Sequence, residues 1–131
     1  TVPAIFMPGP AGVFFHETIG HRLEGQRQQG KNEGRTLRSY VNKRILPKFI
    51  NVYDDPTMET FKGVQLNGFY RVDDEGVPSR RVTLVKNGVL KDFLMSRTPI
   101  KGFVHSNGHG RSNGMARPVG RMGNLLVKAT K

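Results

Sequence analysis

Two imidazoles bracket a carboxylate in the run His16-Glu17-Thr18-Ile19-Gly20-His21. These residue types suit a hydrolytic zinc site: neutral imidazoles hold the ion, and a glutamate outside the coordination sphere takes a proton from the attacking water. The spacing is not the usual one. Histidines four apart share one face of a regular helix, whereas His16 and His21 would sit about 140° apart around the axis at about 100° per residue. One ion could not join them there. The chemistry therefore requires an irregular backbone: a single-turn bulge that inserts one residue makes five positions act as four, and such bulges recur at functional sites. Gly20 lies inside the window where that irregularity has to fall.

A purely structural alternative fits the same residues. On an ideal helix Ala11, Phe15, Ile19 and Leu23 form an apolar stripe, while Glu17, His21 and Glu24 gather on the polar side. Glu17 and His21 would then be an ordinary i, i+4 pair on a solvated face.

The elements that must position this segment follow from the pattern around it. Residues 2–7 read as a short apolar strand, closed by Pro8-Gly9-Pro10. A helix then starts near Pro10 or Ala11, with proline favourable in its first turn, and Gly25 is a plausible stop. Residues 26–39 are polar, basic and interrupted by glycine, as in a surface loop, with a lid or partner-facing segment as the sharper alternative. A short helix is weakly signalled over 36–45. Residues 49–53 alternate as a strand, and Asp54-Asp55-Pro56-Thr57 is a turn by composition, which explains its paired acids without a second metal. A further strand is expected over 68–72, with a turn over 73–78.

The clearest local signal lies in residues 80–95. Val82, Leu84 and Phe93 alternate, Asn87-Gly88 is a type I′ turn pair, and residues 89–95 return antiparallel. Hairpins of this kind build antiparallel sheets. The expected fold class is therefore α+β, a mixed and mainly antiparallel sheet with the His-bearing helix packed against it. Residues 102–123 are rich in glycine, which lets backbone approach a ligand closely. His105 and His109 fall there, and a surface-loop role is their default.

The 131 residues fit one domain with a single modest core. A formal charge of +11 would by itself suggest an anionic partner such as nucleic acid. The basic residues are spread along the chain, however, densest over 22–44, and no helix-turn-helix or aromatic RNA-binding motif accompanies them. There is no cysteine, which excludes disulfides and an all-thiolate zinc site within this chain. No apolar run reaches the length of about 20 residues that a membrane helix needs, and the first residues lack the basic start and apolar body of a signal peptide. The expectation is a cytoplasmic protein with no membrane partner. The start at Thr1 suggests a piece of something longer.

The run from Ala11 to Gly25 resembles the HExxxH segment of the TldD/PmbA metalloprotease family, including the glycine before the second histidine and the Leu23-Glu24-Gly25 after it. Further similar elements follow in family order: Val52-Tyr53-Asp54-Asp55-Pro56-Thr57, Asp73-Asp74-Glu75-Gly76-Val77-Pro78 and Lys86-Asn87-Gly88-Val89-Leu90-Lys91. Ser106-Asn107-Gly108-His109-Gly110-Arg111 and Pro118-Val119-Gly120-Arg121-Met122-Gly123-Asn124 look like the family's Gly-Asn-x-Arg and Arg-Met-x-Asn elements.

The resemblance implies that His16 and His21 are metal ligands for Zn2+ and Glu17 the general base, with Glu24 supporting them from outside the ligand set. It implies a third ligand, a cysteine, downstream of residue 131. Residues 1–131 would then be a single domain, a fragment of a larger metalloprotease domain and inactive alone. Implied partners are peptide or unfolded-protein substrates, held as an added strand on a sheet edge, and a homologous subunit in a TldD/TldE-like dimer. Two other readings stay open here: a basic nucleic-acid or gyrase-associated binding module, and a non-catalytic assembly domain in which the helix serves only the fold.

Overall fold

The computed structural model of the chain describes residues 2–29 and 37–130. The middle of the expected loop, residues 30–36, lies outside the described residues. Helix α1 spans Pro8–Phe15, starting ahead of the expected Pro10 or Ala11 and taking in the Pro8-Gly9-Pro10 run, with proline in its first turn. The strands are β1 (Ile50–Asp54), β2 (Thr60–Phe61), β3 (Val64–Gln65), β4 (Val82–Lys86), β5 (Val89–Leu90), β6 (Gly110–Arg111), β7 (Val119–Gly120) and β8 (Leu125–Ala129). Four of them form one sheet in the order β5-β4-β1-β8, every pairing antiparallel, with β2-β3 and β6-β7 as small ribbons. This is the mixed α+β architecture read from the hairpin signal.

Strand β1 is the spine. It pairs with β4 from Val52↔Val85 to Asp54↔Val82, and a register shift between Val52 and Tyr53 leaves one extra residue on β4. That bulge breaks the two-residue alternation, so Leu84 and Val85 are adjacent yet both fully buried. The β4-β5 turn has φ 50° at Asn87 and 75° at Gly88, positive at both central positions as type I′ demands. A side chain at Gly88 would strike the carbonyls of Leu46 and Pro47, so this glycine is also required by a close backbone crossing.

The return strand is shorter than the expected 89–95 because its later backbone groups go elsewhere. Leu94 N–H donates to Leu23 O at 2.8 Å, and Gly25 N–H donates back to Leu94 O at 2.9 Å. The side chain of Asn107 takes the next pair, accepting from Met95 N–H at 2.8 Å and donating to Phe93 O at 2.8 Å. Phe93, Leu94 and Met95 are thereby held in the core.

Three further expectations are corrected. Residues 2–7 form no strand: Pro3 lacks a donor, no described strand runs beside them, and Val2 and Ile5 are exposed. Residues 68–72 form none either, because Gly68 N–H donates to the Asn124 side chain and Tyr70 N–H to Pro56 O. The weak helix over 36–45 reduces to a 3-10 turn at Arg38–Tyr40, followed by Asn42 at φ 63°.

The HExxxH segment meets the sheet through Ile19 and Leu23, both buried, whereas α1 itself has no buried residue. Leu23 is fully enclosed, and truncating such a leucine to alanine typically costs about 2–5 kcal/mol. A groove of about 500 Å³ runs between α1 and β8, with Ala11, Phe15, Phe61, Leu125 and Val127 among its walls. No helix among the described residues is long and apolar enough to cross a membrane.

Candidate metal centre

The regular helix stops at Phe15. Residues His16–Gly20 form a π turn, in which the N–H of His21 donates to the carbonyl of His16, and a 3-10 turn follows over His21–Leu23. This is the kind of one-residue insertion that a shared ion would require of histidines at this spacing. Its consequence is visible in the rings: the His16 and His21 imidazoles lie 4.7 Å apart, edge to face at 87°.

Gly20 is where the widened turn is pressed onto the rest of the chain. A Cβ there would strike Met122 Sδ and come within 3.2 Å of Leu125 Cδ2. The Arg121-Met122-Gly123-Asn124 element thus reaches the histidine segment through Met122, while Asn124 ties neighbouring loops together by donating to Asp55 O at 3.1 Å and Met58 O at 3.0 Å.

Glu17 projects beside the two rings and is the most exposed of the three. Its Oε1 is 3.8 Å from His16 Nε2 and its Oε2 is 4.0 Å from His21 Nε2. Among the described residues, His16, Glu17 and His21 form the one group of three His, Cys, Asp or Glu whose potential ligand atoms all lie within 4.8 Å of one another. Imidazoles this close could share one ion, with the Glu17 carboxylate beside it. The solvated-face alternative accounts for the exposure of Glu17, but it gives no reason for the π turn.

Glu24 stands apart from that group and beneath it. Its Oε1 lies 3.1 Å from His21 Nδ1, and the residue is 3% exposed. A carboxylate accepting the Nδ1 proton leaves the lone pair of His21 on Nε2, the nitrogen that faces Glu17. The donor set therefore fits zinc chemistry: two imidazoles, one of them with its tautomer set by a buried carboxylate.

The histidines of the glycine-rich stretch play no part in this group. His105 is exposed. His109 is not in a surface loop, as its glycine-rich surroundings suggested, but fully enclosed. Its Nε2 is 3.0 Å from Asp54 Oδ1, and its Nδ1 is 3.1 Å from Asn107 O. Asp54 is also fully buried and accepts from Gly123 N–H at 3.0 Å. Sequence reasoning assigned Asp54 to a turn and missed this pair. The turn reading does hold for Asp55, whose Oδ1 accepts from Thr57 N–H at 3.1 Å and Thr57 Oγ1 at 2.6 Å. It holds for Asp73 too, which accepts from Glu75 and Val77 N–H at 2.9 Å each and from Gly110 N–H at 2.9 Å.

The comparisons with known proteins bear on the family of the chain. The whole chain, residues 1–131, matches the family described as the PmbA/TldA metallopeptidase C-terminal domain. A protein named metalloprotease from Archaeoglobus fulgidus is 36% identical over 118 residues, 89% of this chain and 26% of its own length. One named zinc metalloprotease TldD homolog, from Saccharolobus solfataricus, is 36% identical over 95 residues, 72% of this chain and 20% of its own. The crystal structure of TldE from Thermococcus kodakarensis superposes with a TM-score of 0.68 at 25% identity, covering 92% of this chain and 26% of that one. The chain thus spans about a fifth to a quarter of the length of these relatives. On the match across its full length, the chain belongs to the PmbA/TldA metallopeptidase C-terminal domain family.

Proposed function

We propose that residues 1–131 supply the metal-holding segment and the general base of a zinc-dependent peptidase, and that His16 and His21 are two of the metal's ligands. The observation that carries this reading is the π turn at His16–Gly20, which makes neighbours of side chains that a regular helix would separate. Zinc held there would supply Lewis acidity, lowering the pKa of a water toward neutrality and polarising a carbonyl group.

The remaining chemistry belongs to the side chains. Glu17, exposed beside both imidazoles, takes the proton of the attacking water on a carboxylate oxygen and hands it to the departing amine. His21 keeps its Nδ1 proton against Glu24, so that Nε2 remains the ligating atom. The chain has no cysteine, and the cysteine ligand that the family resemblance implies would come from outside these residues.

The substrates in this reading are peptides or unfolded segments. Strand β8 is an edge of the main sheet and runs beside the groove against α1, with Leu125 touching the turn at Gly20. A substrate added along that edge would be held by main-chain hydrogen bonds, with little demand on side-chain identity. The domain works within a longer protein, paired with a homologous subunit as in a TldD/TldE-type assembly.

The test is the zinc content of the full-length protein. The wild type is expected to carry near-stoichiometric zinc, and His16→Ala and His21→Ala each to lose most of it while remaining folded. Zinc that stays bound in both variants would remove these residues from the site.

A further inference from the structure

We propose that Arg27 is a positioning residue for the metal centre: with Gln26 it fixes the Glu24 carboxylate so that His21 presents Nε2, a role that rests on His16 and His21 being the ligands. Arg27 and Gln26 lie just beyond the Ala11 to Gly25 segment that carries the family resemblance.

Both oxygens of Glu24 are engaged, although the residue is 3% exposed. Oε2 accepts from Arg27 Nε at 3.0 Å and from Gln26 Nε2 at 3.1 Å. Oε1 faces His21 Nδ1 at 3.1 Å. A guanidinium has donors only, so Oε2 is held as an acceptor, and the carboxylate cannot turn away from His21 without straining the two hydrogen bonds at Oε2. The oxygen left over accepts the Nδ1 proton of His21.

The backbone holds the same geometry. Glu24 is extended, at φ −74° and ψ 124°, between the 3-10 turns His21–Leu23 and Gly25–Gln28. Its two peptide neighbours are clasped to Leu94, and Arg27 N–H donates to Glu24 O at 3.2 Å. Arg27 thus returns over the residue it orients. Its side chain is 53% exposed, and a half-exposed ion pair adds little to folding stability. What the contact supplies is direction. Without a donor at position 27 only Gln26 holds Oε2, so Glu24 turns more readily from Nδ1 and the tautomer of His21 is less firmly set.

The experiment measures zinc affinity of the full-length protein by competition with a chromophoric chelator, alongside thermal unfolding of each metal-free variant. Arg27→Met, which keeps the length but removes the donors, is expected to weaken zinc binding by about tenfold with the metal-free melting temperature unchanged. Arg27→Lys, which keeps a cationic donor, is expected to recover most of that loss. Arg27→Met combined with Glu24→Gln should lose no more than Glu24→Gln alone, as expected of two residues in one chain of contacts. Wild-type affinity in Arg27→Met, beside a weakened Glu24→Gln, would overturn the role of Arg27 and leave the ligand assignment standing. A metal-free melting temperature that falls in step with affinity would also overturn it, since that marks a purely structural residue. Zinc binding that is indifferent to His16→Ala would overturn the ligand assignment and this role together.

Discussion

The backbone N–H of His21 donates to the carbonyl of His16, five positions earlier, and the two imidazoles stand 4.7 Å apart. The widened turn that brings them together is seated against Met122 and Leu125 by Gly20, a residue with no side chain to obstruct it. Gly20→Ala is therefore expected to destabilise the protein by about 1–3 kcal/mol, the usual range for overpacking. Adding Met122→Ala should return part of that loss, because the sulfur is the first atom struck. Chemical denaturation of the two single variants and the double variant reads the coupling; strictly additive losses would contradict it.

Asp54 and His109 tie the glycine-rich stretch to the central strand. Both are fully buried, 3.0 Å apart, and Asp54 also holds the backbone of Gly123, next to Met122. Removing one member of a buried pair leaves the other uncompensated, so His109→Ala is expected to cost about 3–5 kcal/mol. A loss below about 1 kcal/mol in urea unfolding, the scale of an ordinary surface contact, would show that the pair is dispensable.

Tyr70 gives the fold a dependence on alkaline pH. Its hydroxyl donates to Gly108 O at 2.9 Å, and burial, with the charge of Asp54 adding to it, pushes the phenol pKa well above its ordinary value of 10.0. A group whose pKa is raised by folding contributes stability below its unfolded pKa and loses it as pH climbs toward the folded value. Wild-type stability is therefore expected to fall as pH rises above about 10, where an unfolded tyrosine ionises. Tyr70→Phe should be less stable by about 1 kcal/mol at neutral pH for the lost hydrogen bond, and should show a flatter decline with base. Parallel stability curves for the two proteins would contradict the assignment.

Zinc affinity should depend on chain length. If a further ligand lies outside residues 1–131, the isolated chain will bind zinc more weakly than the full-length protein while retaining the dependence on His16 and His21. Equal affinity in the two would place the complete site within this chain.

Much of this arrangement is legible in the amino-acid sequence. The five-residue interval between the histidines calls for an inserted residue if the two are to share an ion, and the structure has a π turn there. The Asn87-Gly88 pair located the hairpin and, through it, the antiparallel sheet. What was illegible involves partners distant in sequence or backbone that departs from a regular period. Asp54 and His109 are 55 residues apart and sit in stretches whose composition reads as turn and loop. Residues 2–7 have the apolar content of a strand but no neighbour among the described residues to pair with. The hairpin's return was overestimated because Leu94 spends its hydrogen bonds on Leu23 and Gly25, a pairing that no local pattern announces. Arg27 and Glu24 are i, i+3, yet their contact depends on Glu24 being extended between two 3-10 turns.

The most direct measurement is peptide hydrolysis by the full-length protein beside its Glu17→Gln variant, with zinc content determined in both. Zinc retained and hydrolysis lost by at least about a hundredfold in the variant, the scale expected for removing a general base, is the predicted result. Hydrolysis that survives the substitution with zinc still bound would contradict the role of Glu17, and with it the reading of this segment as the catalytic centre.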